Sequence, residues 1–350
     1  MNPKAKKALR AATAVVAVGA AAVLLINKKA AQTQYTDTTY AMSTVITQAV
    51  YGKNAEKAMA QVNAALREYE DRLSLFSNTS EIAKINTGAG TPVAVSDETY
   101  ALLSRALELS AQSDHAFDLT IAPLTLLWGV TGENPKVPPQ GEIDALLPLV
   151  DDAAVKLDPI NKTVQLAPGQ GLDLGGIAKG NACTAAQKIY NEQGITSAVL
   201  NIGGNVYVKG TKPDGSLYRV GFRDPNGDES SYIASLAMKD QVLAVSGGYE
   251  RYFVENGKKY CHIISGQTGW PVESDIVSIG IVTPDGTLAD FLSTTLYVWG
   301  EQKSLAWAAA QDDVQILLLD NKGTLYATKG LEGSLELTEE AQKSYTIQYI

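Results

Sequence analysis

A carboxylate and two hydroxyls stand at helical spacing in the segment TPDGTLADFLSTTLYVWG. If a helix runs through it from about Thr287, then Asp290, Ser293 and Thr294 share one face, because residues three and four apart are neighbours on a helix. All three side chains offer oxygen, which suits a hard cation such as Mg²⁺ better than zinc. A solvated helix face is the alternative, and this segment alone does not decide between them.

The segment GLDLGGIAKGNACTAAQKIYNEQG changes from an apolar run to an amphipathic helix at two glycines. Its pattern predicts a strand that ends at Asp173 and Leu174, a turn at Gly175 and Gly176, and a helix from Ile177. Free N–H groups at a helix start suit an anion such as a pyrophosphate, and Lys179 adds a cation. The turn is equally consistent with simple strand-to-helix topology, and it matches neither a P-loop nor G-x-G-x-x-G.

Two other segments place titratable side chains beside turns. In SDHAFDLTIAPLTLLWG, Asp118 can accept a hydrogen bond from a heterocycle, while Phe117 or Trp128 could wall a ring. In YCHIISGQTGWP, His262 stands where a predicted strand meets a glycine-rich loop. It is either a proton acceptor for a hydroxyl nucleophile or a packed strand residue.

The elements that must position these side chains form an α+β pattern with a mostly antiparallel sheet. Alternation predicts a first strand within Ala41–Gly52, and a period of 3.6 predicts a helix over Asn54–Phe76 with Asn54 as its N-cap. Short β-branched runs between Gly, Asp-Pro and Asn-Gly turns predict antiparallel strands from Ala198 to Val282. The other predicted elements are a short helix after Ser80, a helix from Ser96 to about Ser113, a hairpin around Asp158–Asn161, a helix from about Gly286 to Trp299 with another after it, and closing strands at Val314–Leu319 and Thr324–Thr328.

The N-terminus differs from the rest of the chain. MNPKAKKALR carries four positive side chains and no acid, and Ala11–Ile26 is then apolar throughout. This pattern predicts an export signal or a signal-anchor, and the poor cleavage site at Ala30 and Ala31 favours an anchor. We therefore expect a signal peptide or membrane anchor over 1–31, a linker over 32–40 and one domain over 41–350. The domain would lie at the extracytoplasmic face of the cell membrane, or be secreted if the segment is cleaved.

Composition narrows the function further. The chain of 350 residues has a formal net charge of -9 and no basic stripe, which argues against a nucleic-acid partner. The two cysteines, Cys183 and Cys261, offer no metal-ligand spacing, and separate thiols are the better interpretation than a disulfide.

In their order along the chain, these segments resemble the ApbE family of FAD:protein FMN transferases. The resemblance implies an α+β fold with an antiparallel sheet, sometimes grouped with the T-folds. It also implies transfer of the FMN moiety of FAD to a Ser or Thr hydroxyl of a target protein, with release of AMP and a requirement for Mg²⁺. The segments that carry it are Ala41–Gly52, Leu73–Asn86, Ala116–Gly129, Leu172–Gly180, Asn201–Gly204, Ser246–Tyr252, His262–Pro271 and Ala289–Thr294.

The resemblance also implies roles for single residues. His262 would be the base and Asp290 the carboxylate of the catalytic centre. The expected Mg²⁺ ligands are the backbone carbonyl of Gly176 and the side chains of Asp290, Ser293 and Thr294. The residues expected to contact FAD are Met42, Ala116, Phe117, Asp118, Asp173, Lys179 and Ile264.

This sequence departs from the family pattern after His262. It reads HIISGQTG where the family usually reads HIIDPxTG, so Ser265 and Gly266 replace Asp-Pro. Some relatives also carry a second carboxylate at the position of Ser293. The partner implied is an acceptor protein with a motif of Asp, small residues and a final Ser or Thr. Two alternatives remain open: an Mg²⁺-dependent FAD pyrophosphatase giving FMN and AMP, and a non-catalytic FAD-binding protein, which would have no use for the Asp290 and Thr294 pair.

Overall fold

A nine-stranded sheet forms the centre of the computed structural model, which describes residues 33–228 and 231–350. Neighbouring strands run antiparallel, except for the parallel pair formed by the last two at one edge. From edge to edge the strands are β1 (Gln34–Ala41), β2 (Thr44–Tyr51), β6 (Ser197–Ile202), β7 (Asn205–Gly210), β10 (Gln241–Gly247), β13 (Ile276–Thr283), β14 (Gln315–Asp320), β15 (Thr324–Ala327) and β17 (Thr346–Tyr349).

The remaining strands form three smaller antiparallel units. Their strands are β3 (Val93–Ala94), β4 (Lys156–Asp158), β5 (Thr163–Gln165), β8 (Tyr218–Arg223), β9 (Tyr232–Met238), β11 (Tyr252–Glu255), β12 (Lys258–Cys261) and β16 (Leu335–Leu337). One unit has the order β3-β5-β4, another has the order β16-β9-β8, and the third is the hairpin of β11 and β12. The α-helices are α1 (Ala55–Leu73), α2 (Glu81–Thr87), α3 (Asp97–Ser110), α4 (Ala122–Trp128), α5 (Gln140–Leu146), α6 (Ala178–Glu192), α7 (Gly286–Trp299) and α8 (Glu301–Ala308).

Both faces of the central sheet are covered. Val242 and Ile281 pack with the helices in the larger hydrophobic cluster, whereas the next residues along the same strands, Leu243 and Val282, pack with Phe222 of β8 on the opposite face. Because successive side chains of a strand alternate between faces, a sheet buried on both sides requires apolar residues at nearly every position. This explains why β13, IVSIGIVT, is mostly apolar and is buried at nearly every position.

Helices α6 and α7 cross at two glycines. A Cβ on Gly180 would stand 2.0 Å from the carbonyl oxygen of Gly286, and a Cβ on Gly286 would stand 2.4 Å from that of Gly180. Only glycine permits such an approach, because any larger residue would push the two backbones apart. The crossing brings the first turn of α6 against the first turns of α7, where Gly286 and Asp290 lie.

We expect Gly180→Ala to lower the free energy of unfolding by about 2–3 kcal/mol, because the new methyl group overpacks this crossing. The matched control is Gly141→Ala in α5, where an added Cβ meets no atom within 4 Å. That control should be neutral or raise stability by roughly 0.5–1 kcal/mol through helix propensity. Urea unfolding of both variants measures the difference, and equal stabilities would contradict a tight crossing.

The described structure confirms most predicted elements and corrects four. The polar linker predicted over 32–40 is wrong, because residues 34–41 form β1, whose polar sequence suits an edge strand with one exposed face. Asn54 precedes α1 as predicted, but its side chain does not cap the helix and donates to the carbonyl oxygen of Gln193 at 2.8 Å. No strand ends at Leu174, since the Asn86 amide instead bonds both backbone groups of Leu172. Finally, β16 and β17 follow the two strands expected to close the chain.

The two cysteine thiols are free, as predicted, and both are buried. The predicted signal peptide or membrane anchor, residues 1–31, lies outside the described residues. Among the residues that the structure does describe, no helix is long and apolar enough to cross a membrane.

Candidate functional site

One cavity of about 280 Å³ brings together segments that are far apart in the chain. It lies between the β1–β2 turn, the end of α1, the start of α6, the end of β10, the loop after β12 and helix α7. All of the predicted site residues except Ser293 line it. These are Met42, Ala116, Phe117, Asp118, Asp173, Gly176, Lys179, His262, Ile264, Asp290 and Thr294.

Asp290 provides the buried negative charge of the cavity. Its carboxylate is 3% exposed in a helix that is buried on nearly all sides. Oδ2 accepts a hydrogen bond from the N–H of Gly180 at 2.8 Å, and Oδ1 lies 3.9 Å from Nζ of Lys179. The Gly180–Gly286 crossing therefore fixes the carboxylate, and the opposed ammonium compensates its charge.

Gly176 and Thr294 approach each other closely in the cavity wall. A Cβ on Gly176 would stand 3.1 Å from Oγ1 of Thr294 and 3.0 Å from Cε2 of Phe117. A side chain at this position would thus crowd the space between the glycine turn and α7. The glycine keeps open the space beside the Thr294 hydroxyl, in a cavity that Asp290 also lines.

Ser293 stands apart from the other predicted metal ligands. It is fully buried, and its hydroxyl donates to the backbone carbonyl oxygen of Asp290 at 2.8 Å. Oγ of Ser293 also lies 2.8 Å from Oγ of Ser246, a residue that does line the cavity. Ser293 therefore supports the helix turn that carries Asp290 and does not line the cavity, and its role as a direct ligand stays a prediction.

Two N–H groups at the glycine turn and the start of α6 donate to side chains of this protein and are not free for a ligand. The N–H of Gly175 donates to Oδ1 of Asp173 at 2.8 Å, and that of Gly180 donates to Asp290. The prediction that the amides of this turn bind an anion is wrong for these two groups. The ammonium of Lys179, 3.3 Å from the carbonyl oxygen of Gly175, is the cation that the turn presents to the cavity.

A hard cation fits the groups present, although the described residues contain no cluster of three or more His, Cys, Asp or Glu side chains that could hold a metal. Asp290 Oδ1, Thr294 Oγ1 and the carbonyl of Gly176 are all oxygen donors, the type that Mg²⁺ selects. Mg²⁺ keeps several waters and is commonly bound by one or two carboxylates together with substrate phosphates. A site with one carboxylate is consistent with that habit.

His262 is half-buried at the edge of the cavity with one ring nitrogen fixed. Its Nδ1 lies 3.1 Å from the carbonyl oxygen of Arg251, which also accepts from the His262 backbone N–H at 3.0 Å. A carbonyl oxygen can only accept, so Nδ1 carries the proton and Nε2 keeps its lone pair. Burial, together with the Lys179 ammonium, lowers the pKa of His262 to about 4. The imidazole is therefore neutral near pH 7 and able to take up a proton.

The two-residue turn between β1 and β2 is strained. Met42 and Ser43 both have positive φ, 54° and 56°, where asparagine and glycine are the usual residues. The guanidinium of Arg251 donates to the carbonyl oxygen of Ser43 at 2.9 Å. The side chain of Arg251 thus holds the turn from which Met42 projects, and the backbone carbonyl of Arg251 holds the His262 ring.

Asp118 and Asp173 line the cavity, and their carboxylates also accept hydrogen bonds from neighbouring residues of the chain. Asp118 accepts from the N–H and the hydroxyl of Thr120, at 2.7 and 2.6 Å, and from the N–H of Asp152 at 3.2 Å. Burial, the largest effect, raises the pKa of Asp118 above its ordinary value. Both residues therefore order the loops around the cavity as well as facing it.

The departure after His262 has a structural account. Oγ of Ser265 accepts from the N–H groups of Gln267 and Thr268 at 3.2 and 3.3 Å, which closes the loop as a short acidic side chain would. In place of the family's proline stands Gly266, where an added Cβ would come within 3.1 Å of Val150.

Some residues of the cavity were not predicted from the sequence. Most of them lie in segments that carry the family resemblance, Ala41–Gly52, Leu73–Asn86 and Ser246–Tyr252, but no single residue there was assigned a role. The signal available for Phe76 was its place in the segment Leu73–Asn86, and the structure leaves its ring 59% exposed beside the cavity. The main additions are Ser43, Tyr69, Phe76, Ser246, Glu250 and Arg251.

The cavity therefore has an ammonium to neutralise negative charge, oxygen donors for a hard cation and a neutral imidazole. These are the groups that a phosphoryl-transfer site requires. The ApbE family model matches residues 37–318, and the chain belongs to the ApbE family.

Named relatives agree with this membership. The FAD:protein FMN transferase of Klebsiella pneumoniae (strain 342) is 32% identical over 266 residues, which cover 75% of this chain and 82% of that protein. The protein of the same name from Treponema pallidum (strain Nichols) is 32% identical over 289 residues, covering 78% and 80% respectively.

Solved structures show the same fold. The ApbE protein of Thermotoga maritima superposes with a TM-score of 0.77 at 30% identity, covering 90% of this chain and 100% of that one. The flavin transferase ApbE from Vibrio cholerae superposes with a TM-score of 0.77 at 26% identity, covering 86% and 98%.

Proposed function

We propose that this chain is a FAD:protein FMN transferase that uses Mg²⁺ to move the FMN moiety of FAD onto a Ser or Thr hydroxyl of an acceptor protein. The observation that carries the proposal is the meeting of Asp290, Lys179 and His262 in one cavity. A site that only stored FAD would have no use for a buried carboxylate in the same cavity as a base with a free lone pair.

The reaction is an in-line displacement at phosphorus. The acceptor hydroxyl oxygen bonds to the phosphorus of the FMN half, the bond from that phosphorus to the bridging oxygen of the pyrophosphate breaks, and AMP leaves with that oxygen. Nε2 of His262 takes the hydroxyl proton, while the Arg251 carbonyl holds the ring orientation through Nδ1. The acceptor oxygen therefore attacks without a full positive charge building up on it.

Charge in the transition state falls on the phosphate oxygens. The Lys179 ammonium faces these oxygens from the start of α6. Asp290, Thr294 and the Gly176 carbonyl would hold Mg²⁺, which when bound supplies additional positive charge to the pyrophosphate. Asp290 also orients Lys179, since the two groups are 3.9 Å apart.

The apolar lining suits the flavin part of the substrate. Phe117 and Ile264 are buried and line the cavity, and Met42 projects from the strained turn. Phe117 is held edge-on by Phe291 of α7 at 5.1 Å between ring centroids. A flat heterocycle between such side chains gains from burial without rearrangement of the protein.

The direct test is to incubate the full chain with FAD, Mg²⁺ and a recombinant acceptor domain that carries the Ser/Thr motif. Mass spectrometry should detect one FMN on the acceptor, and chromatography should detect an equal amount of AMP. FMN and AMP without an adduct would make the protein a pyrophosphatase. Bound FAD without turnover would make it a binding protein.

We expect Arg251→Ala to raise the Kd for FAD about tenfold, the effect of losing a charged hydrogen bond worth about 1.4 kcal/mol. When the Arg251 guanidinium is removed, the turn of Met42 and Ser43 relaxes. The backbone carbonyl of residue 251, which holds His262, remains. The value of kcat should therefore change much less than the Kd.

The matched control for this prediction is Arg219→Ala, which removes an exposed arginine paired with Glu336 away from the cavity. FAD titration by fluorescence, followed by transfer kinetics, measures both quantities. A normal Kd for FAD in the Arg251 variant would show that the turn keeps its shape without the clamp.

The proposed location is the extracytoplasmic face of the cell membrane, with the N-terminal segment as the anchor. Its support is the charged start and apolar run of residues 1–26. Fractionation of cells that produce the full chain, with and without residues 1–31, tests it. Equal recovery of both forms in the soluble fraction would contradict the proposal.

A further inference from the structure

A second cavity, of about 610 Å³, lies along the loop that follows His262. We call it the loop groove and define it by six of its lining residues. These are Ser265, Gln267, Thr268 and Trp270 of the loop, Trp299 at the end of α7 and Lys303 of α8.

The loop groove borders the active cavity. Ala116 and Val298 line both. Ile264 and Gly266 line the active cavity, whereas Ser265 between them lines the groove. A molecule in the groove is thus separated from the reacting groups by the thickness of one loop.

This dividing loop is held in one conformation. The N–H of Ser265 donates to the carbonyl oxygen of Trp270 at 2.9 Å, and the N–H of Gly269 donates to that of Ser265 at 2.8 Å. From below, the indole N–H of Trp128 donates to the carbonyl oxygen of Gly269 at 2.8 Å. The groove is therefore formed before any partner arrives, which reduces the entropic cost of binding.

The chemistry of the groove suits a polypeptide better than a phosphate. Its cation, Lys303, is already paired with Asp114 at 2.6 Å. The indole N–H groups of Trp270 and Trp299 are bonded to Gln140 and to the backbone of Ser113, at 3.1 and 2.8 Å. The carboxylate of Glu273, which also lines the groove, is paired with Lys258, and the Lys303 ammonium lies 4.3 Å from the ring centroid of Trp299. What remains for a ligand is the uncovered surface of the two aromatic rings and the exposed side chains of Gln267 and Thr268.

We propose that the loop groove binds the segment of the acceptor protein that flanks the modified Ser or Thr. The inference rests on the proposed function, because the transfer requires a protein segment to enter beside the bound FAD. The aromatic groove, whose charged side chains are paired with one another or with neighbours, shares Ala116 and Val298 with a cavity whose own charges serve the pyrophosphate. Extended backbone laid along it would reach the active cavity at Ala116 and Val298.

The test is Gln267→Trp, which fills the groove from an exposed position. The loop hydrogen bond at this residue uses its backbone N–H, so the wall remains closed. We expect the KM for the recombinant acceptor domain to rise about tenfold, the size of effect that loss of one anchoring contact gives. The Kd for FAD should stay unchanged. The matched control is Gln61→Trp, on an exposed position of α1 that lines neither cavity.

The outcomes separate this inference from the function on which it rests. If the unmodified chain yields no FMN adduct, the proposed function fails first. If the unmodified chain is active and Gln267→Trp keeps the same KM for the acceptor domain, the groove does not bind the acceptor. A raised Kd for FAD in this variant, with an unchanged KM for the acceptor, would assign the groove to part of FAD instead.

Discussion

Asp290→Asn lowers the rate of FMN transfer by about 10³-fold, because one buried negative charge is lost from the centre of the site. Asparagine keeps the shape and the oxygen that accepts from the Gly180 N–H, so the crossing of α6 and α7 survives. Alanine is the poorer probe, since it would leave that buried N–H without a partner at a cost of about 1–3 kcal/mol. The rate is measured as FMN adduct over time at several Mg²⁺ concentrations.

The control for Asp290→Asn is the same substitution at Asp285, the N-cap of the same helix. The Asp285 carboxylate accepts from the N–H of Leu288 at 3.1 Å, and asparagine caps a helix as well as aspartate does. This variant should transfer FMN at the normal rate. If Asp290→Asn shows normal transfer with normal Mg²⁺ dependence, Asp290 is not a metal ligand.

His262→Asn is the second change with a large expected effect. The amide of asparagine can replace the Nδ1–H donor to the Arg251 carbonyl, but it has no counterpart of the basic Nε2. We expect kcat to fall by about 10²–10⁴-fold, the usual contribution of a general base. The Kd for FAD should stay within about twofold, since the lost interaction is made only in the transition state.

The pH dependence gives an independent check on the role of His262. The base is active when neutral, and its pKa is about 4. Transfer should therefore hold steady on moving from neutral to mildly acidic pH, and should be lost only as the pH falls through about 4. Loss of activity near the ordinary pKa of histidine, about 6.5, would contradict the environment described for this ring.

The other histidine supplies the control. His115 is exposed at a turn with a φ of 60° and lines neither cavity. Asparagine tolerates this backbone conformation, so His115→Asn should leave both kcat and the Kd for FAD unchanged. If the two histidine variants behave alike, His262 is not the base.

Several features of this protein are determined by its sequence. The spacing of Asp290 and Thr294 places both on one side of a helix, and the structure confirms that helix from Gly286 to Trp299. The order of the motifs is enough to indicate the family, because residue types that bind phosphate, metal and flavin recur in a fixed order along the chain. The antiparallel sheet was predicted from short strands separated by turn residues, because both signals depend only on neighbouring residues in the chain.

Tertiary structure alone decided which of these side chains face the cavity. Helix α7 is buried on nearly every side, so its apolar pattern does not indicate which face is turned to the cavity. The position of Ser293 behind Asp290 became clear only once the neighbours of the helix were known. The bond from Gly180 to Asp290 joins residues 110 positions apart, and the clamp from Arg251 to Ser43 joins residues 208 apart. Such contacts depend on how strands and helices cross, which the residues at either end do not encode locally.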